Sequence, residues 1–156
     1  MARRKDVVKR EPAADWKYNS VLVSKFINGL MRQGKKSTAE RIFYKALDLI
    51  EEQSSQEPLP GFEKAIKVVR PVVHVKSRRV GGSTYQVPVE VRDDQQRAMA
   101  IRWIIEAARS RSEKNMYECL AGEFTAAARG EGAAVRRKEE TYKMAEANRA
   151  FAHYRW

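Results

Sequence analysis

The 156-residue chain has a single cysteine, Cys119, and only two histidines, His74 and His153. One thiol can form no disulfide within the chain and cannot build a zinc site from several thiolates. The histidines lie in unrelated segments without clustered carboxylates, so a metal centre is not expected, and Cys119 is expected to be a small buried apolar residue. No apolar run approaches the roughly 18 to 20 residues of a membrane span, and "MARRKDVVKREP" lacks the apolar stretch of a signal peptide. A cytoplasmic protein with no membrane partner is the expectation. No repeat, low-complexity stretch or nucleophile–base–acid arrangement is recognisable, so neither a cofactor nor a small-molecule substrate is expected.

What is plentiful is positive charge. Lys and Arg number 31 against 20 Asp and Glu, a net +11, while a hydrophobic content of 43% suits one folded domain. The excess is segregated. Residues 1–36 carry 10 basic and 3 acidic groups, 72–92 carry 4 and 1, and 136–156 carry 6 and 3; the segments between them are almost neutral. That distribution favours a polyanionic partner met by the two ends and one internal segment.

The pattern predicts a mainly α single domain of five or six helices, with a two-stranded β-hairpin at about 72–91 between the third and fourth. Residues 1–15 look like a flexible basic arm, and 16–156 like the helical domain, ending in a basic and aromatic tail at about 148–156. Ser20 can cap a first helix carrying Leu22, Phe26, Ile27 and Leu30. Ser37 with Glu40, and Asp93 with Gln96, read as capping boxes for the second and fourth helices. Phe62, Ala65, Ile66 and Val69 share one side of a short third helix that Pro71 ends. Ala98, Ile101, Ile105 and Ala108 form an inward stripe on the fourth. Further helices are expected over roughly 113–129 and from about Arg137. Trp16 and Trp103 are expected in the core.

In "VKSRRVGGSTYQVPVEV", residues 75–91, a two-residue Gly81-Gly82 turn would place the valines of the two strands on opposite faces. A three- or five-residue loop instead gathers Val73, Val75, Val87, Val89 and Tyr85 on one face. The expected register is therefore one of those two. Pro88 then suits the edge of an isolated ribbon. The tip, with Arg78, Arg79, Gly81, Gly82 and Tyr85 and with Lys76 on the stem, projects arginines that can fork onto phosphate and an aromatic that can stack on a base. A solvated charged loop is the plainer reading.

"GLMRQGKKS", residues 29–37, approaches a nucleotide phosphate-binding loop, but Lys36 stands where Ser or Thr should hold magnesium. The segment fits backbone-phosphate contact by Lys35 and Lys36 beside a helix start, with Lys25 and Arg32 nearby. Arg102 and Arg109, seven residues apart, share a helix face that could lie along RNA or simply face water. Arg136, Arg137 and Lys138 add a basic cluster. In "NRAFAHYRW", Phe151 and Tyr154 are expected inward, and Arg149, Arg155 and Trp156 outward. A nucleic-acid binder is the leading reading, an architectural DNA-binding protein the alternative.

"SRRVGGSTYQVPVEV" from Ser77, "MAEANRAFAHYRW" from Met144 and "FINGLMRQGKKSTAERIFY" from Phe26 resemble the family of ribosomal protein seven of the bacterial small subunit, over nearly the whole chain. The resemblance implies a helical domain with a protruding hairpin and no enzymatic activity. It also implies direct binding to the 3′ major domain of the small-subunit ribosomal RNA, nucleation of head assembly, and a hairpin near the exit-site tRNA and the mRNA path. Small-subunit proteins nine and eleven are the implied protein neighbours. Arg3, Arg4, Lys5, Arg10, Lys35, Lys36, Lys76, Arg78 and Arg79 match the family's RNA contacts. Asp93 and Asp94 stand where the family commonly carries basic residues, which favours a helix cap over an RNA contact there.

Overall fold

A computed structural model describes residues 12–54 and 57–154. In chain order the elements are α1 (Val21–Leu30), α2 (Lys36–Ser54), α3 (Pro58–Val69), β1 (Val73–Val80), β2 (Ser83–Glu90), α4 (Asp93–Arg109), α5 (Met116–Ala128), α6 (Ala133–Ala147) and a 3-10 turn (Arg149–Tyr154). The hairpin stands between the third and fourth helices as the sequence predicts.

Helical spacing of apolar residues places one phenylalanine from each of four helices at a single point. Phe26 of α1, Phe43 of α2, Phe62 of α3 and Phe124 of α5 are each at most 1% exposed. All six of their pairings are ring contacts, with centroids 5.3–6.3 Å apart. Such pairs add about 0.5–1.5 kcal/mol each beyond the area they bury. Ala65, Ile66 and Val69 of α3 are buried beside this hub, and from α4 come Ile101, Trp103, Ile105 and Ala108. Ala98 is exposed, so the inward stripe of α4 starts one turn later than the spacing suggests. Gly29 is a packing residue: a Cβ there would meet Ile101 Cγ2 at 3.0 Å, so glycine lets α1 lie close on α4.

Helix starts differ from their sequence signals. Ser20 is the N-cap of α1, but its side chain makes no capping bond. Because α2 begins at Lys36, Ser37 lies inside the first turn, and Glu40 pairs with Lys36 at 3.7 Å. Asp93 is the first residue of α4, not its cap, and its carboxylate is taken by Arg70 and Arg97. Gln96 donates to Val91 O at 2.7 Å. The reach-back carboxylate occurs at α5, where Glu118 accepts from the Asn115 backbone N–H at 3.2 Å and from its side-chain amide at 2.8 Å. α3 starts at Pro58 and α6 at Ala133, both earlier than the apolar period alone indicates.

A buried ion network joins the last two helices. Glu123 of α5 is 0% exposed; its Oε2 accepts from Arg111 Nη1 at 3.2 Å and its Oε1 from the Ala134 backbone N–H at 3.0 Å, near the start of α6. Gly132, at φ 98°, is required in two ways: an L side chain is strained there, and a Cβ would stand 2.8 Å from Glu123 Oε1.

Candidate nucleic-acid interface

The hairpin has the register that the face argument rejects. Val80 pairs with Ser83, Val75 with Pro88 and Val73 with Glu90, across a two-residue Gly81-Gly82 turn. Both glycines have positive φ, 57° and 89°, which is the type I′ pattern whose twist matches a hairpin. Tyr85, Val87 and Val89 therefore share a face with Arg78, Lys76 and His74, while Val73, Val75 and Pro88 lie on the other. The expectation failed because it assumed one buried face. Val87 is fully buried, and Val73 and Val75 on the opposite face are half-buried, so the ribbon uses both. Pro88 falls at a pair that exchanges no ladder bond, so its missing N–H costs nothing.

The 3-10 turn packs on β2 and holds it by aromatic contact. Tyr85 lies 5.0 Å from Phe151 and 5.5 Å from Tyr154 between ring centroids. Phe151 and Tyr154 thus face inward as expected, but Tyr85 is occupied by them and is half-buried, not a free stacking ring. Arg78, Arg79, Gly81 and Gly82 remain exposed at the apex, and a Cβ added to either glycine would meet nothing within 4 Å. Arg78 and Arg79 point to opposite faces, so the apex offers a cation on each side.

Six of the expected cations form one stripe over three grooves. The first groove, about 500 Å³ between α1 and α4, is lined by Lys25, Arg97, Arg102 and Arg109 and also by the carboxylates of Asp94 and Glu106. Arg109 also lines a second groove of about 340 Å³ with Arg32 and Lys35. Arg102 also lines a third, about 280 Å³, with His74 and Lys76 at the hairpin root. From Lys76 through Arg102, Lys25 and Arg109 to Arg32 and Lys35, positive side chains follow one another across β1, α4, α1 and the α1–α2 turn.

The local electrostatics suit an anion. Partial burial, and after it the neighbouring Arg32, lower the Arg109 pKa from its usual range, while Glu106 opposes the shift. Arg109 Nη2 donates to Leu30 O at 3.5 Å, at the carbonyl end of α1. At the hairpin root His74 is pushed down by burial and by Lys76 and Arg137. Its Nδ1 is buried without a hydrogen-bond partner among the described residues.

Other candidates are placed differently. Lys36 is exposed and pairs with Glu40. Arg136 and Arg149 are exposed. Arg137 pairs with Glu140 at 3.7 Å. Lys138 Nζ donates to Val68 O at 2.6 Å, closing the end of α3, and lies 5.6 Å from the centre of the Tyr142 ring. Arg3, Arg4, Lys5, Arg10, Arg155 and Trp156 fall outside the described residues. The loop that resembles a nucleotide site is the end of helix α1 and a turn, so among the described residues a helix and not a strand leads into it. Sequence reasoning missed Arg97 and the pair Arg41 and Lys45, which line a recess of α2 where Lys45 Nζ lies 5.5 Å from the Tyr117 ring. Their spacing at i and i+4 was the available signal.

A helical body that carries a cation stripe and a cationic ribbon defines the class of protein: a structural binder of polyanions. The comparisons sharpen it. Residues 2–149 match the family model described as "Ribosomal protein S7p/S5e". Full-length relatives called small ribosomal subunit protein uS7 are 60% identical in Syntrophobacter fumaroxidans and in Gemmatimonas aurantiaca, and 58% in Anaeromyxobacter sp. strain K, each covering 100% of both chains. The chain belongs to the ribosomal protein S7p/S5e family, and with it is a structural, non-enzymatic protein of the small ribosomal subunit.

Proposed function

We propose that the chain binds the 3′ major domain of small-subunit ribosomal RNA directly and nucleates assembly of the subunit head. The observation that carries this reading is the stripe from Lys76 to Lys35, which crosses four parts of a rigid body and so can fix several RNA backbones relative to one another. Phosphate contacts supply most of the affinity, and RNA shape supplies the selectivity. The exposed apex with Arg78 and Arg79 reaches towards the exit-site tRNA and the mRNA path. Small-subunit proteins nine and eleven are its protein neighbours, and the basic residues Arg3, Arg4, Lys5 and Arg10 add contacts to RNA.

The test is the salt dependence of binding to a 3′ major domain transcript. Replacing Lys35, Lys36, Arg78 and Arg79 together by alanine lowers the slope of log K against log salt by roughly 0.7 to 0.9 for each phosphate no longer neutralised. An unchanged slope removes these four from the interface. Duplex DNA of similar charge competes poorly; equal preference would favour an architectural DNA protein.

A further inference from the structure

The sequence places Trp16 in the core, but it is 77% exposed, the most exposed large apolar side chain among the described residues. An exposed tryptophan on a mobile segment would mean little, since scattered surface apolars are ordinary. This one is held in place. Asp15, 7% exposed, accepts from the backbone N–H groups of Lys17 at 3.2 Å and Tyr18 at 3.1 Å through Oδ2, and from the Tyr44 hydroxyl at 2.6 Å through Oδ1. One buried carboxylate therefore closes the turn that carries Trp16 and ties it to α2. Lys17 adds a second tie by pairing with Asp48 at 3.3 Å.

The indole meets Tyr44 edge to face, with centroids 5.7 Å apart and planes at 80°. At 77% exposure that contact leaves a broad face of the indole open. The Lys17 ammonium lies 5.4 Å from the Tyr18 ring and 5.2 Å from that of Tyr44, so a cation is set among the rings. A fixed, open aromatic face is the element that stacks unpaired bases, and the Lys17 cation beside it is already paired with Asp48, so the contact offered is the ring itself. The location agrees. Tyr44 is eight residues beyond Lys36 along α2, about 12 Å along the axis, and Trp16 follows the basic segment of residues 3–10.

We propose that Trp16 is a stacking platform for an unpaired base of the RNA this chain binds. The proposal rests on the RNA-binding reading given above, and it adds a contact that carries no phosphate. A stacked base contributes affinity without releasing counterions, so the two kinds of contact separate in one experiment.

The experiment measures binding of the full chain and its Trp16→Ala, Trp16→Leu and Trp16→Phe variants to the 3′ major domain transcript at several salt concentrations. Alanine and leucine weaken binding by about 5- to 150-fold, phenylalanine by much less, and the salt slope stays that of the parent. Thermal midpoints close to the parent's show that the exposed side chain does not act through folding. Equal binding by the alanine variant overturns the proposal, as does equal weakening by leucine and phenylalanine, or weakening accompanied by a changed slope. A defect seen only when other small-subunit proteins are added would make Trp16 a protein contact and would also overturn it. If the parent chain itself fails to bind the transcript, the RNA-binding reading falls; if the parent binds and the alanine variant binds equally, the stacking role alone falls.

Discussion

Phe151→Ala tests whether the C-terminal turn braces the hairpin. A two-stranded ribbon is marginal alone, and the Arg78–Tyr85 pair is where the ring contacts from the 3-10 turn meet the hairpin, below the Gly81-Gly82 turn. Tyr85 meets Phe151 at 5.0 Å and Tyr154 at 5.5 Å, and Phe151 is half-buried. Losing one aromatic pair removes about 0.5–1.5 kcal/mol, and losing half the burial of a phenylalanine about 1 kcal/mol more. The total, about 1.5–2.5 kcal/mol, corresponds to a fall in amide-exchange protection of roughly 10- to 70-fold. That fall is confined to the ladder between Arg78 and Tyr85, because the phenylalanine hub lies elsewhere. Tyr85→Ala gives a larger effect, since it removes the partner of both rings, and the double variant shows a coupling of about 0.5–1.5 kcal/mol. Protection that changes less than twofold, or falls equally at Ile104 in the core, refutes the brace.

Two further outcomes follow from buried groups. Glu123→Ala leaves the Arg111 guanidinium with Glu113 alone and orphans the Ala134 N–H, costing about 2–4 kcal/mol in urea unfolding after allowance for the one-third exposure of Arg111; a change below about 1 kcal/mol refutes the network's importance. His74 has its folded-state pKa lowered by burial, Lys76 and Arg137, so the unfolded chain takes up the proton first. Its contribution to stability is present above the unfolded value of about 6.5 and is lost as pH falls below it. His74→Gln therefore flattens the decline of the urea midpoint between about pH 7 and 5, and an unaltered decline assigns it to other groups.

How much was legible depended on whether a residue's role was set by its neighbours in sequence. Phe62, Ala65, Ile66 and Val69 declared a helix face by spacing alone, and all are buried. The turn preference of Gly81-Gly82 was also local and correct. It was overruled by reasoning about strand faces that could not see the 3-10 turn arriving from residues 149–154 to cover Tyr85. Capping signals at Ser37 and Asp93 failed: α2 starts one residue before Ser37, and Asp93 has distant claimants, above all Arg70. The charge of the grooves was readable as a sum but not as a path, since the stripe is assembled from α1, α4 and β1. Trp16 was misread because composition says tryptophan is mostly buried, whereas the bonds from Asp15 to Tyr44 and its own turn fix the backbone that exposes it.

The uneven division of labour has a physical reason. Placing Arg32 beside Arg109 is unfavourable in the free protein, because like charges repel more strongly wherever water is partly excluded, whereas His74 beside Lys76 avoids that cost at neutral pH by staying uncharged. A loosely packed chain would relax by swinging those elements apart. Here α1, α2, α3 and α5 share the phenylalanine hub, α4 is closed onto α1 through Gly29, and Glu123 ties α5 to α6, so the cations cannot escape one another. Core packing thus holds Arg32 beside Arg109, and under the RNA-binding reading proposed above a bound phosphate backbone would relieve that repulsion.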